Sequence, residues 1–282
     1  MPSSITYEYL SCAAQRTAHV ADWVQWGMGR DALVFGVHKA LAVWLDPTEP
    51  TARAPAVHMW PLPCQETVHV LKAWQDDVPR IVVGTYEGGL ELWRVHGDEL
   101  CCDASVPGAH AAAITAVGVP RDAYTREHSP REFVTGGSDS KLRVWSCDPL
   151  RVVQTVDLEG AFPLDVALVS LPQTDAMVMA VAATDRRISL YVRGGGSGAY
   201  VRQLRLAGHE DWVRALDFTV ALPDVWLASA SQDQHVRLWK WRPETRQPQA
   251  PTDAFEAMAR ELGFEVLAPI VFALTPGDYT AQ

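Results

Sequence analysis

The 282-residue sequence contains few cysteines, no long apolar run and no secretion signal. Its five cysteines are scattered and form no C-x-x-C pair, which predicts reduced thiols in a cytoplasmic protein rather than a disulfide framework. No segment approaches the roughly 18 consecutive apolar residues of a membrane span. The first residues lack the basic and apolar regions of a signal peptide. We therefore expect neither membrane insertion nor export.

Positive charge is also scarce. Lysine and arginine number 24 against 34 acidic residues, giving a net charge of −10. A negative surface repels phosphate backbones, so we expect no direct binding of nucleic acid. No cluster of potential ligands has the spacing of a structural zinc site, and the glycine-rich segment 194–198 lacks the GK[ST] ending of a phosphate loop. We expect no metal and no cofactor, and we interpret the glycines as a flexible link.

Tryptophan, by contrast, is abundant, with eleven residues, and five aromatic positions recur at regular spacing. A short apolar run closes on each of these anchors, and small residues followed by a turn precede each run. This order predicts repeated strand–turn–strand hairpins. The anchors lie 46 to 52 residues apart and are Trp44, Trp93, Trp145, Tyr191 and Trp239.

The fullest repeat covers residues 206–241. It begins with Gly208-His209, contains three β-prone runs separated by turns, and closes near Trp239. This order is typical of one blade of a WD40 β-propeller. We predict an all-β propeller of five recognisable four-stranded blades over residues 1–242, incomplete relative to a seven-bladed ring, with a C-terminal tail over 243–282.

The predicted tail begins with three prolines that indicate a linker. A short helix is predicted over 253–262 and a strand over 264–274, interpreted as an insertion or a truncated further blade. Residues 120–130 are predicted to form an exposed loop, and 5–10 a closing strand. Because an arc of five blades leaves edges and apolar faces open, we hypothesise that the sequence is a fragment or that another chain completes the ring.

Blades three and five each contain the residue types of a catalytic triad: His110, Asp139 and Ser138, and His209, Asp233 and Ser229 or Ser231. A nucleophile needs a base within reach and an exposed oxygen. In WD40 repeats the same types form a structural network, and its recurrence in two blades favours a scaffold over an enzyme. The predicted network comprises His209, Ser229, Ser231, Asp233, Trp239, His110, Asp139, Trp145 and Asp185.

The loop that opens blade five carries a large aromatic residue beside two acids. Such an aromatic at a loop rim is typical of a contact hot spot between proteins, and packing inside the fold is the alternative. We predict Glu210, Asp211, Trp212 and Arg214 as contacts to a partner.

Three segments of blade five resemble the second subunit of the Elongator complex: GHEDWVR (208–214), LASASQD (227–233) and VRLWK (236–240). The resemblance extends to VTGGSD (134–139) and LRVW (142–145) in blade three. It covers roughly residues 1–242, and the blade-five string is its most specific part.

The resemblance implies a non-catalytic scaffold. Elongator installs carboxymethyl-type modifications on wobble uridines of certain transfer RNAs. Two partners are implied: a very large scaffold subunit and a catalytic subunit with radical-SAM and acetyltransferase-like parts. A cytoplasmic location, with the nucleus as a second compartment, is expected. The alternative is a WD40 adaptor of another assembly, such as a ubiquitin-ligase substrate receptor or a trafficking scaffold.

Overall fold

The computed structural model describes residues 20–26, 30–45, 57–75, 78–120, 132–171, 176–194, 198–221 and 224–241, and the backbone of 264–266. These residues contain twenty β-strands in five separate four-stranded antiparallel sheets. No helix long and apolar enough to cross a membrane is found in the part of the chain that the structure describes. The predicted all-β fold with five four-stranded blades is confirmed.

The strands follow the chain in order, four to a blade. Blade one contains β1 (Ala21–Trp26), β2 (Arg30–Val37), β3 (Ala40–Leu45) and β4 (Val57–Pro61). Blade two contains β5 (Val68–Gln75), β6 (Pro79–Thr85), β7 (Leu90–His96) and β8 (Glu99–Val106). Blade three contains β9 (Ile114–Gly118), β10 (Glu132–Gly137), β11 (Lys141–Cys147) and β12 (Leu150–Asp157).

Blade four contains β13 (Pro163–Ser170), β14 (Met177–Ala183), β15 (Ile188–Arg193) and β16 (Val201–Leu206). Blade five contains β17 (Val213–Ala221), β18 (Asp224–Ser231), β19 (Val236–Trp241) and β20 (Phe264–Val266). Within each blade, every strand pairs with the next one along the chain, and the paired strands are antiparallel.

The fourth strand of blade five comes from the segment predicted as a tail. Phe264–Val266 pairs with β19, so these residues belong to the fifth sheet although they lie beyond residue 242. The division of the chain at that residue stays a prediction. The predicted closing strand at 5–10 and helix at 253–262 lie outside the described residues, and only Pro120 of the predicted loop is described.

The first strand of each blade lies innermost. β1, β5, β9, β13 and β17 contact one another in succession. Together they line a cavity of about 340 Å³, to which Trp23, Lys72, Val117, Val166 and Leu216 contribute one residue from each blade. Five sheets that surround a common central cavity through their first strands have the arrangement of propeller blades.

The hydrophobic core lies between neighbouring blades, because alternate residues of each strand face opposite sides of its sheet. Four of the five anchor aromatics pack against the preceding blade; Trp239, for example, lies in one buried cluster with Leu190 and Leu204 of blade four. Truncating such an anchor to alanine would cost about 3–5 kcal/mol. The anchors that pack in this way are Trp93, Trp145, Tyr191 and Trp239.

Blade one presents an apolar face on the side away from blade two. Trp23, Leu33, Trp44 and Val57 lie directly opposite one another across its four strands and therefore share a face. Trp23 is 60% exposed and Val57 41% exposed. The sequence analysis expected an open apolar face of this kind at the end of an arc of five blades. Closure of the ring by the segment 5–10 or by another chain stays a prediction.

Polar side chains tie the inner strands across all four blade–blade seams. Each tie joins a side chain on one first strand or its start to a backbone group of the next blade, at 2.6 to 2.9 Å. Such bonds fix the rotation of one blade against the next, since apolar packing alone is not directional. The ties are Asp22 to Ala73 N–H, His69 to Ile114 C=O, Thr115 to Pro163 C=O and Asp165 to Leu216 N–H.

Ion pairs tie the outer parts of three of these seams. In each pair, one charged residue lies at or near the start of a blade's second strand. Its partner lies in or next to the hairpin that joins the third and fourth strands of the following blade. Arg30 lies 2.8 Å from Asp98, and Arg80 lies 3.0 Å from Asp148. Between blades three and four the signs are reversed, because Glu132 supplies the carboxylate and Arg193 the guanidinium.

Candidate functional site

The predicted residues of blade five form a chain of buried hydrogen bonds. His209 Nδ1 lies 2.8 Å from Asp233 Oδ2, and His209 Nε2 lies 2.8 Å from Ser229 Oγ. The indole N–H of Trp239 donates to the same hydroxyl oxygen at 2.9 Å. The network joins the loop before β17, the second strand, the third strand and the turn between them, so it fixes one end of the blade.

Burial and hydrogen bonding decide which side chains of this network are charged. Burial lowers the pKa of His209 despite the neighbouring carboxylate, so the imidazole is neutral at pH 7. Nδ1–H then donates to Asp233 and Nε2 accepts from the Ser229 hydroxyl. Burial acts to raise the pKa of Asp233, but donors from the Glu210 backbone and from His209 hold it well below its usual range. Every donor in the chain therefore has an acceptor.

Blade three repeats the arrangement with one residue that we did not predict. His110 Nδ1 lies 2.9 Å from Asp139, and Nε2 lies 2.7 Å from Thr135 Oγ1. The indole N–H of Trp145 donates to Thr135 at 2.8 Å. Thr135 therefore occupies the place of the blade-five serine, whereas Ser138 lies in the turn. Aligning VTGGSD with ASASQD places the threonine opposite Ser229 and would have identified it.

The buried hydroxyl is poorly placed for nucleophilic catalysis. Ser229 is only 1% exposed, and its oxygen is already engaged by an indole and an imidazole. A nucleophile needs an oxygen that a substrate can reach. The arrangement orders two strands and a turn; no substrate-accessible oxygen is present in it.

Two predicted network residues lie outside these chains. The Ser231 hydroxyl donates to the backbone oxygen of Asp211 at 3.0 Å and accepts from the backbone N–H of Asp233 at 3.1 Å. Asp185 lies in the corresponding turn of blade four, where its carboxylate accepts the backbone N–H of Arg187 at 3.2 Å. Both brace turns rather than extend the His–Ser–Trp chain.

Blade two satisfies its anchor differently. Its anchor Trp93 pairs with Ile81, so Val83 occupies the hydroxyl position and offers no acceptor. Directly across from Val83, the buried carboxylate of Glu91 accepts the indole N–H of Trp93 at 3.0 Å and the backbone N–H of Cys64 at 3.0 Å. Glu91 therefore performs the acceptor role that serine or threonine performs elsewhere.

The same carboxylate lies near two thiols. Burial, reinforced by Glu91, raises the pKa of Cys64 to about 12 and that of Cys102 to about 11. Both thiols are therefore protonated at neutral pH, and a protonated thiol is a weak nucleophile.

Blades one and four have apolar residues at the hydroxyl position, Phe35 and Val181, by register with their anchors. The anchor of blade four is Tyr191, which has no indole N–H to satisfy. In blade one the Trp44 indole nitrogen is buried without a hydrogen-bond partner among the described residues. The network is therefore a feature of individual blades rather than of the whole ring.

No group of three or more histidine, cysteine, aspartate or glutamate side chains within the described residues is arranged to hold a metal ion. The four predicted contact residues lie at the surface. Glu210, Asp211 and Arg214 are exposed, and Trp212 is 41% exposed. Trp212 thus lies at the loop rim.

Five consecutive four-stranded blades, two of which contain an Asp–His–Ser/Thr–Trp network, form the fold of a WD40 β-propeller. Residues 200–240 match the family model of the WD domain, G-beta repeat. A chain in the crystal structure of the mitotic checkpoint complex superposes with a TM-score of 0.57 at 12% identity, covering 84% of this chain and 71% of that one. At this identity the similarity concerns the fold.

Over most of its length the chain is similar to Elongator complex protein 2. The protein of Danio rerio is 28% identical over 258 residues, which are 90% of this chain and 30% of that protein. The protein of Homo sapiens is 30% identical over 174 residues, which are 59% of this chain and 20% of that protein. The resemblance found in the sequence is thereby confirmed, and the chain spans less than a third of these relatives.

Proposed function

We propose that this protein is a non-catalytic scaffold subunit of the Elongator complex and supports modification of wobble uridines in transfer RNA by holding other subunits. The observation that carries the proposal is the similarity to Elongator complex protein 2 over 90% of the chain, combined with a propeller fold. Propellers of this kind present loops and edges for contact with other proteins.

The buried networks support the absence of catalysis. The histidine, aspartate and hydroxyl set occurs in two blades, and in each the hydroxyl oxygen accepts an anchor indole. A repeated arrangement that joins strands to turns is explained by stability in each blade. A single active site would not need it twice.

The proposed partners are the large scaffold subunit and the radical-SAM, acetyltransferase-like catalytic subunit. Direct contact with transfer RNA is not part of the proposal, because a net charge of −10 disfavours phosphate. The proposed location is the cytoplasm, with the nucleus as a second compartment. The exposed residues Glu210, Asp211, Trp212 and Arg214 are the proposed starting point for partner contacts.

Nucleoside mass spectrometry tests the proposal. Host cells without the protein should lose carboxymethyl-type wobble uridines, and the wild-type gene should restore them. In cells that carry His209→Gln, modification should fall only in proportion to the amount of complex recovered. A variant that assembles fully yet abolishes modification would support catalysis, and unchanged modification in cells without the protein would contradict the proposed function.

A further inference from the structure

A cleft of about 490 Å³ lies between blades three and four, among their outer strands. Its blade-three wall is formed mainly by β11 and β12, and its blade-four wall by the end of β15 and the segment 198–200. Gln154 of β12 holds that segment in place, because its side-chain amide bonds both the backbone N–H and the C=O of Tyr200, at 2.7 and 2.9 Å. The cleft is therefore built from two blades that are fixed against each other, and its volume is within the range of small-molecule sites.

Arg193 supplies a buried guanidinium to this cleft. Only 6% of the residue is exposed, and its Nη1 donates to the carboxylate of Glu132. The guanidinium carbon also lies 4.8 Å from the centre of the Tyr200 ring. The other two nitrogens, Nε and Nη2, have no hydrogen-bond partner among the described residues, and neither is fully enclosed. Because a buried donor without a partner costs free energy, these N–H groups favour a ligand that brings an acceptor.

Two further donors face the same space from blade three. Ser146 and Arg151 lie directly opposite each other on β11 and β12, and both line the cleft. Arg151 is exposed, and its guanidinium forms no ion pair within the part of the chain that the structure describes. Guanidinium groups match the planar fork of a carboxylate better than any other side chain does.

The balance of charge in the cleft limits the ligand to a single negative charge. Two guanidinium groups face one carboxylate, that of Glu132, so the lining carries an excess of one positive charge in a protein with a net charge of −10. A dianion such as phosphate would be repelled by Glu132, whereas a monoanion is matched. Val144 and Val153 add apolar surface, and Val153 is 45% exposed. The chemistry that fits is a carboxylate on a small apolar body.

We propose that this cleft binds a small organic monocarboxylate. The carboxylate accepts hydrogen bonds from Arg193 and Arg151, and the apolar part of the ligand contacts Val144 and Val153. Because the ligand contacts two blades at once, it binds the folded arc and stabilises the seam next to the ion pair of Glu132 and Arg193.

Isothermal titration calorimetry of the full 282-residue chain tests the proposal with phenylacetate as the probe. A ligand of this size that places its carboxylate on two guanidinium groups should bind saturably with a Kd of about 1 mM. Phenylacetamide has nearly the same shape but no charge, and it should bind at least about 10-fold more weakly. Inorganic phosphate at pH 7.5 should also bind more weakly than phenylacetate. Phenylacetate should raise the melting temperature of the protein.

Variants locate the binding in the cleft. Arg151→Gln removes a guanidinium that has no structural partner, so the protein should fold normally and bind phenylacetate about 10-fold more weakly. Ser146→Ala should weaken binding by about 3-fold. Arg187→Gln, which changes an exposed arginine in a turn of blade four away from the cleft, is the matched control and should leave the Kd unchanged.

Four results would overturn the proposal. They are the absence of saturable binding, equal affinities for phenylacetate and phenylacetamide, tighter binding of phosphate than of phenylacetate, and an unchanged Kd in Arg151→Gln. Equal weakening by Arg151→Gln and Arg187→Gln would likewise contradict it, because the effect would then be one of overall charge rather than of this cleft.

Discussion

Replacing Ser229 with alanine removes one hydroxyl on which two other buried groups depend. The indole N–H of Trp239 would lose its acceptor, and His209 Nε2 would lose its donor. The site is 1% exposed, so water cannot readily replace the hydroxyl. The change is small in volume and leaves the apolar packing of the strand intact, so the hydrogen bonds dominate its effect.

The expected cost follows from two unsatisfied buried groups. Each such group costs about 1–3 kcal/mol, so Ser229→Ala should lower the free energy of unfolding by about 2–6 kcal/mol. Native domains are stable by only about 5–15 kcal/mol, so the loss is readily measurable. Urea unfolding followed by tryptophan fluorescence gives the midpoint and slope for both proteins.

Ser231→Ala is the matched control on the same strand. Its hydroxyl bonds to backbone groups near the surface, and the substitution should cost less than about 1 kcal/mol. If Ser229→Ala unfolds with wild-type stability, or if both variants lose the same amount, then the buried network does not stabilise the blade and the structural argument against catalysis is refuted.

Three further predictions concern other blades. Glu91→Ala should lower the free energy of unfolding in urea by about 3 kcal/mol or more, because two buried N–H donors lose their acceptor. Glu91→Gln keeps an acceptor oxygen and should cost less; equal losses for the two variants would contradict the acceptor role of Glu91. Glu132→Arg and Arg193→Glu should each lower the free energy of unfolding by about 3 kcal/mol, and the double exchange should recover at least half of the summed loss. Additive losses in this double-mutant cycle would show that the ion pair does not join blades three and four. Burial acts to raise the pKa of Asp139, but donors from His110, the Ala111 backbone and Arg143 lower it from 3.8 to about 2, so its stabilisation is complete above pH 3.8 and is lost as the pH falls towards 2. Asp139→Asn should therefore show a shallower loss of thermal stability than the wild type below about pH 4, and parallel curves would contradict this linkage.

Acid should also act through the histidines, in the same direction. Burial lowers the pKa of His110, so the folded protein binds its proton less readily than the unfolded chain. Stability is therefore lost as the pH falls from 6.5 towards the lowered value. Because the wild type and Asp139→Asn share the other titrating groups, the difference between their stability curves isolates the contribution of Asp139.

The regular spacing of anchors made the number and order of blades predictable. The anchors of blades two to five each pack against the preceding blade, so an aromatic recurs once per repeat at nearly constant distance. The triad-like residues of blade five were predictable because the turn and strand lengths match the family pattern closely. The acidic loop made Trp212 a candidate contact residue but left packing inside the fold as an alternative, and the structure places it 41% exposed.

Other features depend on register across strands and were not predictable from local pattern. Glu91 acts as an acceptor only because it pairs with Val83, and no short motif encodes that pairing. The strand at 264–266 is separated from its sheet partner by more than twenty residues, so sequence proximity did not place it in blade five.

Affinity purification of the tagged protein from its native host, followed by mass spectrometry, shows whether the protein is an Elongator subunit. We expect recovery of the large Elongator scaffold subunit together with the radical-SAM, acetyltransferase-like subunit, and retention of both with Ser231→Ala. Recovery of a different assembly, such as a ubiquitin ligase or a trafficking complex, with neither Elongator subunit present would leave the propeller fold intact and contradict the proposed function.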